Sequence, residues 1–231
     1  MKRKTKLKFL TDFVKRFIKR LLSKYRKVVI ISYSDPERSK ALDLINEIKA
    51  KTEMELLDNE AYQIYMAVKR TGKVCGDLAE VGVYKGGSAR LICEAKGNKA
   101  LHLFDTFEGI PVVHEIDSPH FRCGMWAGSL EEVGSSLRAY KDVYFYKGIF
   151  PNTTGPVKDK KFSFVHMDVD THKSTLDCLE FFYSRINPGG VIISHDYIYF
   201  AGVKKAFDEF FKDKPEPIIE LSGSQCLIAK I

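Results

Sequence analysis

From residue 77 onward, short apolar runs alternate with segments whose apolar residues recur every three or four positions. The runs have the length of β-strands, and the periodic segments have the repeat of amphipathic helices. The predicted strands are Leu78–Val83, Ala100–Asp105, Val143–Tyr146, Phe162–Asp168, Val191–Ser194, Ile218–Leu221 and Gln225–Ala229. The predicted helices are Gly87–Ala95, Ser129–Tyr140, Lys173–Ile186 and Val203–Lys212. We expect Asn187-Pro188-Gly189-Gly190 to end the third of these helices.

Strands that alternate with helices in this way predict a parallel sheet covered by helices on both faces. The last two strands are separated only by Ser222-Gly223-Ser224, a gap that predicts a hairpin. The fold class is therefore α/β, a doubly wound, Rossmann-like, seven-stranded and mostly parallel sheet with a terminal antiparallel hairpin. In such sheets ligands bind at the carboxyl ends of the strands.

Helices are also predicted ahead of the sheet. Ser34 and Glu37 fit a capping box with Pro36 in the first turn, and this helix runs to about Ala50. Asp58 or Asn59 can cap a second helix that ends near Lys69. We expect one domain over residues 34–231, with residues 34–76 as its helical N-terminal cap.

Residues 1–33 form a basic arm whose segment 7–22 has the spacing of an amphipathic helix with a cationic face. Residues 1–27 hold twelve Lys or Arg and one acid, a charge of +11, so the rest of the chain sums to −4 within the net +7. A mildly acidic body argues against a nucleic-acid partner. The arm can lie on an anionic membrane surface, on a partner subunit of a homo-oligomer, or on the body itself.

Other classes of protein are excluded by composition. The chain has no run of about 18 apolar residues, which a membrane-spanning helix needs. Lys and Arg interrupt the apolar residues of its start, unlike a signal peptide. The five cysteines are widely spaced without a C-x-x-C pair, which is typical of reduced thiols in the cytoplasm. We expect a cytoplasmic protein, with a peripheral position on the inner membrane face as the arm's alternative.

The first predicted strand leads into a glycine-rich loop, Glu80-Val81-Gly82-Val83-Tyr84-Lys85-Gly86-Gly87-Ser88. Glycines there let the backbone approach a ligand and turn into the next helix. The spacing differs from the G-x-G-x-x-G of dinucleotide sites, and Glu80 would repel a pyrophosphate. A ligand with an ammonium group would favour that carboxylate, and S-adenosylmethionine has an α-amino group, a sulfonium and no phosphate. The alternative is an ordinary tight turn between strand and helix.

Residues after the second and third strands extend the candidate cofactor site. Asp105 can accept hydrogen bonds from both hydroxyls of a ribose, as acids do in NAD sites. Phe107 can pack near an adenine or fill the core, and Gly148 can let an adenine approach or serve a turn. The full set of cofactor-binding candidates is Glu80, Gly82, Tyr84, Gly86, Gly87, Ser88, Asp105, Phe107, Gly148 and Asp168.

Acidic residues follow the fourth and fifth strands. Because these strands should be neighbours, Asp168, His195 and Asp196 converge in the crevice, where they suit a divalent cation with open positions. Asp168 and His195 also offer a general base. Asp170 can instead cap the next helix, and His166 is expected to pack in the core. The long segment Pro111–Gly128 could cover an acceptor.

These segments together resemble the macrocin O-methyltransferase family, which includes the mycinamicin sugar methyltransferases. The resemblance runs from about Leu56 to Tyr197 and leaves out the basic arm. It implies a class I methyltransferase fold with strand order 3-2-1-4-5-7-6, S-adenosylmethionine as cofactor, and a magnesium ion that holds two neighbouring sugar hydroxyls. The segments that carry it are Glu80–Ser88, Phe104–Pro111, Lys147–Phe150, Met167–Asp170 and Pro188–Tyr197.

The metal ligands that this resemblance implies are Asp168, His195 and Asp196. Members of the family usually have Asp-Asp where this chain has His195-Asp196. Magnesium prefers oxygen ligands, so the alternatives are manganese or another cation, weak metal binding, or no metal at all. The expected reaction is methyl transfer to a hydroxyl of a saccharide or glycosylated small molecule, with Asp168 as base or ligand and His195 as the alternative base.

Two further hypotheses remain from the sequence. One is a related methyltransferase with a non-sugar acceptor. The other is a catalytically silent, cofactor-binding or membrane-associated homologue, which the histidine at position 195 keeps open. An NAD-dependent oxidoreductase is disfavoured by Glu80 and by the missing G-x-G-x-x-G.

Overall fold

A computed structural model describes residues 35–231 of the 231-residue chain. Residues Lys40–Ile231 form one compact unit, and residues 35–39 belong to a separate one. The predictions for the basic arm, its amphipathic segment 7–22 and the Ser34 cap lie outside the described residues. Within residues 35–231, every helix is too short or too polar to cross a bilayer.

Residues 35–231 contain six α-helices and seven strands. The helices are α1 (Pro36–Lys51), α2 (Asp58–Arg70), α3 (Gly87–Ala95), α4 (Leu130–Leu137), α5 (His172–Phe182) and α6 (Ala201–Phe211). The strands are β1 (Asp77–Val81), β2 (Leu101–Asp105), β3 (Val143–Lys147), β4 (Phe162–Met167), β5 (Ile186–Ser194), β6 (Ile219–Glu220) and β7 (Cys226–Ala229). Short 3₁₀ turns lie at Thr71–Lys73 and Gly155–Val157.

The strands form one sheet in the order β3-β2-β1-β4-β5-β7-β6. The first five strands pair in parallel, and β7 is antiparallel to both β5 and β6. This confirms the predicted fold class, its strand order and its terminal hairpin. Every residue of β4 is buried, as a strand at the centre of a covered parallel sheet should be.

Apolar side chains form two cores. One contains Ile45, Ile64, Leu91 and Val133, which come from α1, α2, α3 and α4. The other contains residues of α5 and α6, with Phe182 and Phe207 among them. Strand residues contribute to both cores, so helices cover both faces of the sheet. The carboxyl edge of the parallel strands is left to the loops that follow them.

The prediction for Asn187-Pro188-Gly189-Gly190 is wrong. Helix α5 ends at Phe182, and these four residues lie inside β5. Ile186 pairs with Phe162 and Val191 pairs with Phe164, so β5 carries three extra residues between the two pairs. The chain bulges there, and backbone hydrogen bonds tie Gly189 and Gly190 to Lys230. Pairing on both sides of β5 therefore overrides a sequence typical of a helix end.

The start of α2 also differs from the prediction. The helix begins at Asp58, and Leu57, rather than Asp58 or Asn59, is the residue before its first turn. The backbone N–H of Leu57 donates to the carboxylate of Glu60 at 2.8 Å. Glu60 thus caps the helix from inside its first turn, and its side chain is directed back toward the sheet's carboxyl edge.

Candidate active site

A cavity of about 420 Å³ opens at the carboxyl edge of the sheet. Residues after β1, β2, β3, β4 and β5 line it, as expected for a doubly wound fold. The predicted site residues that line it are Gly82, Tyr84, Gly87, Ser88, Asp105, Gly148, Asp168, His195 and Asp196. Asp170 lines it as well. The two candidate regions, for a cofactor and for an acidic cluster, thus share one cavity.

Gly82 brings the ends of β1 and β4 into contact. Its φ is +85°, and a Cβ there would lie 1.8 Å from the carbonyl oxygen of Asp168. The N–H of Asp168 donates to Val81 at 2.9 Å, which ties the two strand ends together. Only glycine fits this position, because any side chain would collide with the backbone of Asp168. The glycine therefore sets where Asp168 enters the cavity.

Asp105 organises the loop after β1. Its Oδ2 accepts hydrogen bonds from the backbone N–H groups of Val83 at 2.6 Å and Tyr84 at 2.9 Å. Its Oδ1 accepts from the N–H of Phe107 at 2.6 Å. A carboxylate has about four acceptor positions, so one remains by this count for a ligand such as a ribose hydroxyl.

The loop before α2 packs against the glycine-rich loop. The hydroxyl of Tyr84 donates to Glu53 at 2.8 Å, and Lys85 forms an ion pair with the same carboxylate. A Cβ on Gly87 would lie 2.6 Å from the Cβ of Met54. Gly87 therefore allows residues 53–57 to form one wall of the cavity, which sequence reasoning did not identify.

Three predicted cofactor residues do not line the cavity. Glu80 is fully buried in β1, where its carboxylate lies 2.8 Å from His166 Nδ1. Burial raises the pKa of Glu80. Phe107 packs in the core with 6% of its surface exposed, and Gly86 stands before α3 against Val133. His166 is buried as expected, and Glu80 is its partner.

The three residues of the predicted metal site do converge. His195 Nδ1 lies 3.2 Å from a carboxylate oxygen of Asp168 and 3.1 Å from one of Asp196. One ligand atom from each residue falls within 4.8 Å of the others. The neighbouring ends of β4 and β5 bring them together, and Asp196 has a left-handed φ of +60°. Asp170, at φ +61°, lies beside them in the cavity lining.

Glu60 is a fourth acidic residue of this group, and sequence reasoning missed it. Its Oε2 lies 3.4 Å from His195 Nε2, across 135 positions of the chain. It is 1% exposed and lines the cavity. Its place in the first turn of α2 signals helix capping, so nothing local in the sequence points to the site.

The charges of this cluster perturb one another. Burial works to lower the pKa of His195, but the carboxylates around it outweigh burial and raise that pKa. Burial works to raise the pKa of Asp168, and the charge of His195 outweighs it, so the pKa of Asp168 is lowered. The pKa of Asp170 is raised well above its usual range by burial and by the neighbouring carboxylates.

Burial works to raise the pKa of each of the remaining two acids, but only one of them ends with a raised pKa. Burial raises the pKa of Asp196. Burial also works to raise the pKa of Glu60, but hydrogen bonds from His195, Ser224 and Leu57 outweigh it and lower that pKa to about 2. Carboxyl groups whose pKa values are pushed apart in one cavity suit acid–base chemistry.

The segment 111–128 also contributes to the cavity lining. Pro111, Met125 and Trp126 line it, whereas His114 and His120 do not. The ring of Phe121 packs edge-on against Trp126 and Phe200, with centroids 5.6 and 4.7 Å away. Aromatic side chains of this segment therefore add an apolar part to the lining of the cavity.

Comparisons with known proteins agree with this geometry. The family described as Macrocin-O-methyltransferase (TylF) matches residues 13–224. A tetracenomycin rhamnosyl 4'-O-methyltransferase of Streptomyces olivaceus is 33% identical over 157 residues, 61% of this chain and 59% of that relative. The demethyldecarbamoylnovobiocin O-methyltransferase of Streptomyces niveus is 31% identical over 153 residues, 59% of this chain and 58% of the relative. The alignments thus span about three fifths of these relatives.

Among solved structures, the O-methyltransferase NovP superposes with a TM-score of 0.68 at 27% identity, covering 82% of this chain and 88% of NovP. The family match covers well over half of the chain and includes every predicted site residue. The chain therefore belongs to the macrocin-O-methyltransferase family.

Proposed function

We propose that this chain is an S-adenosylmethionine-dependent O-methyltransferase that acts on a hydroxyl of a sugar in a glycosylated small molecule. The observation that carries the proposal is the shared cavity, in which the glycine-rich loop and Asp105 lie next to Asp168, His195 and Asp196. Methyl transfer needs a donor and an acceptor in one enclosed space, close together and in line. The sugar acceptor is supported by the names of the relatives.

The residues of the glycine-rich loop and Asp105 are proposed to bind the cofactor. Gly82, Tyr84, Gly87 and Ser88 place backbone at the cavity wall, and Asp105 holds that backbone while keeping an acceptor position. Gly148, with φ +139°, completes this side of the cavity. Glu80 and Phe107 are buried and do not line the cavity, so they would support the cofactor-binding residues without touching the cofactor.

The acceptor hydroxyl must lose its proton as the methyl group arrives. Asp168 lines the cavity as an ionised carboxylate beside His195, so it is our choice for the base. His195 can act as a base only after it loses the proton that its carboxylate neighbours stabilise. Until then it contributes positive charge beside the acceptor.

A divalent cation is also proposed for this site. The donor atoms of Asp168, His195 and Asp196 lie close enough to share one ion, and an ion bound there would displace the Nδ1 proton of His195. Two carboxylates and an imidazole suit manganese better than magnesium, which prefers oxygen ligands. When bound, such an ion lowers the pKa of a coordinated hydroxyl.

The test is transfer of a labelled methyl group from S-adenosylmethionine to a glycoside library, with calorimetry of S-adenosylhomocysteine binding beside it. We expect tight binding and at least one methylated glycoside, and Asp168→Asn should lower the rate of transfer about 10²–10⁴-fold. Binding without transfer to any glycoside or phenol would favour a catalytically silent homologue. Failure to bind either form of the cofactor would refute the proposal.

We further propose a cytoplasmic location, a homo-oligomeric state and membrane attachment through residues 1–27. All five cysteines are free, which supports a reducing compartment. The charge of +11 on the arm supports attachment to anionic lipid. Flotation with vesicles should require anionic lipid and residues 1–27, and light scattering should give a mass above 26.4 kDa. A monomeric mass would contradict the homo-oligomeric state, and failure to float with anionic vesicles would contradict membrane attachment.

A further inference from the structure

Glu60 connects the N-terminal helices to the candidate metal site. Its Oε1 accepts from the backbone N–H of Ser224 at 2.7 Å and from the Ser224 hydroxyl at 2.8 Å. Its Oε2 accepts from the N–H of Leu57 at 2.8 Å and faces His195 Nε2 at 3.4 Å. Three of these contacts fix the carboxylate itself. The fourth contact, to His195 Nε2, can orient the imidazole ring.

The β6–β7 hairpin is shaped around this carboxylate. Gly223 has a φ of +106°, and a Cβ there would lie 2.4 Å from Glu60 Oε1. Asn59 Nδ2 donates to the carbonyl of Ser222 at 2.7 Å, and Gln63 Nε2 donates to the same oxygen at 2.9 Å. Helix α2 is therefore held on the hairpin by several contacts, and Glu60 reaches His195 from a rigid support.

The two nitrogens of His195 face different partners. Nδ1 faces Asp168 and Asp196, at 3.2 and 3.1 Å, while Nε2 faces Glu60 at 3.4 Å, its one ionic partner within residues 35–231. A histidine that binds a metal through one nitrogen usually donates the N–H of the other to a carboxylate, which fixes the ring and its tautomer. The position of Glu60 beside His195 Nε2 fits this arrangement, with Glu60 as that carboxylate.

We propose that Glu60 is a positioning residue for His195, holding its Nε2–H so that Nδ1 serves, with Asp168 and Asp196, as the nitrogen ligand of a divalent cation such as Mn²⁺. The proposal rests on the divalent-cation site of the proposed function. It assigns to Glu60 a role beyond capping α2. Because an imidazole replaces a carboxylate in the ligand set, the site should select Mn²⁺ over Mg²⁺.

The test measures Mn²⁺ binding to the full chain, without cofactor, by the loss of the free Mn²⁺ signal in electron paramagnetic resonance. Glu60→Gln keeps the size of the side chain and removes its charge, and we expect Mn²⁺ to bind about 10–100-fold more weakly. Asn59→Ala is the matched control, because it removes a neighbouring contact to the same hairpin without touching His195. It should change Mn²⁺ affinity by less than about threefold.

A spectroscopic measurement tests whether His195 supplies the nitrogen ligand. Electron spin-echo modulation of bound Mn²⁺ should show coupling to a ¹⁴N nucleus in the wild type, and His195→Asp should abolish it. The same substitution should shift the preference toward Mg²⁺ by at least about tenfold. Retained folding of each variant is checked by its thermal unfolding midpoint.

Three outcomes would overturn the proposal. They are wild-type Mn²⁺ affinity in Glu60→Gln, bound Mn²⁺ without ¹⁴N coupling in the wild type, and no Mn²⁺ binding to the wild type at all. Methyl transfer is assayed in parallel with excess chelator. If transfer persists while Mn²⁺ does not bind, the metal proposal fails and the methyltransferase proposal stands. If the cofactor does not bind, the methyltransferase proposal fails independently.

Discussion

The contact between Gly82 and Asp168 gives a prediction whose size follows from the structure. We expect Gly82→Ala to destabilise the chain far more than Gly124→Ala, although both glycines have a φ of +85°. An alanine at such a φ costs about 1–2 kcal/mol in either place. The nearest atom to a Cβ on Gly124 is 3.9 Å away, so the conformational cost is the whole cost there.

At Gly82 the new Cβ would lie 1.8 Å from a backbone oxygen, and atoms at such contacts stay at least 3.0 Å apart. The ends of β1 and β4 would have to separate by roughly 1.2 Å, which strains two hydrogen bonds of 2.9 Å, from Gly82 to Phe104 and from Asp168 to Val81. Each is worth about 1 kcal/mol, or more if its groups stay buried and unpaired. The expected loss is about 3–5 kcal/mol in total.

Urea unfolding followed by circular dichroism measures both losses on the same scale. The difference between the variants isolates the close approach from the cost of the backbone conformation. Calorimetry with S-adenosylhomocysteine adds a second readout, in which Gly82→Ala should weaken binding at least tenfold, because Asp168 and the loop move together. If the two variants differ in unfolding free energy by less than about 1 kcal/mol, the strand ends do not depend on this glycine.

Three other substitutions test the acidic residues. Glu60→Gln should cost about 3 kcal/mol at pH 7, because the folded pKa is about 2 against 4.5 unfolded. The ionised Glu60 stabilises the folded chain at pH values above 4.5, and this stabilisation is lost as the pH falls toward 2. The urea midpoints of the wild type and the variant should therefore converge at low pH, and a difference that stays constant with pH would contradict this prediction. Asp105→Asn should weaken S-adenosylhomocysteine binding at least tenfold by calorimetry, since one oxygen must replace two; unchanged affinity would contradict its role in the loop. Asp168→Asn should lower kcat about 10²–10⁴-fold in the labelled-methyl assay, and a loss below tenfold would exclude it as the base.

Most of the fold follows from the pattern of apolar residues. Buried parallel strands are continuous apolar runs, so β2 and β4 were predicted to within one residue at each end. Helix α3 has the predicted bounds because its glycines and its periodicity agree. The Asn187–Gly190 segment shows where this fails. Its local preference is for a helix end, and pairing with strands distant in sequence decides otherwise.

Strand ends could be located from the sequence, but the direction of each side chain could not. Glu80 and Asp105 were both predicted to bind the cofactor, because ligands bind at the carboxyl edge of such a sheet. Glu80 lies one residue before the end of β1, and its side chain is buried. Asp105 is the last residue of β2, and its side chain accepts hydrogen bonds from the loop after β1. A shift of one residue along a strand reverses the face of the sheet. Glu60 escaped detection for another reason, since only the folded chain brings α2 to His195.

Acidic residues in this site hold backbone and line the cavity at once. Asp105 accepts three backbone N–H groups, and Glu60 accepts two together with a hydroxyl. Removing either side chain would collapse a loop, so loss of activity in an alanine variant says nothing about contact with a ligand. An amide of the same size keeps one acceptor oxygen and loses the charge. If Glu60→Gln or Asp105→Asn loses more free energy of ligand binding or catalysis than of folding, the side chain acts on the ligand. If the two losses are equal, the side chain acts by holding the fold.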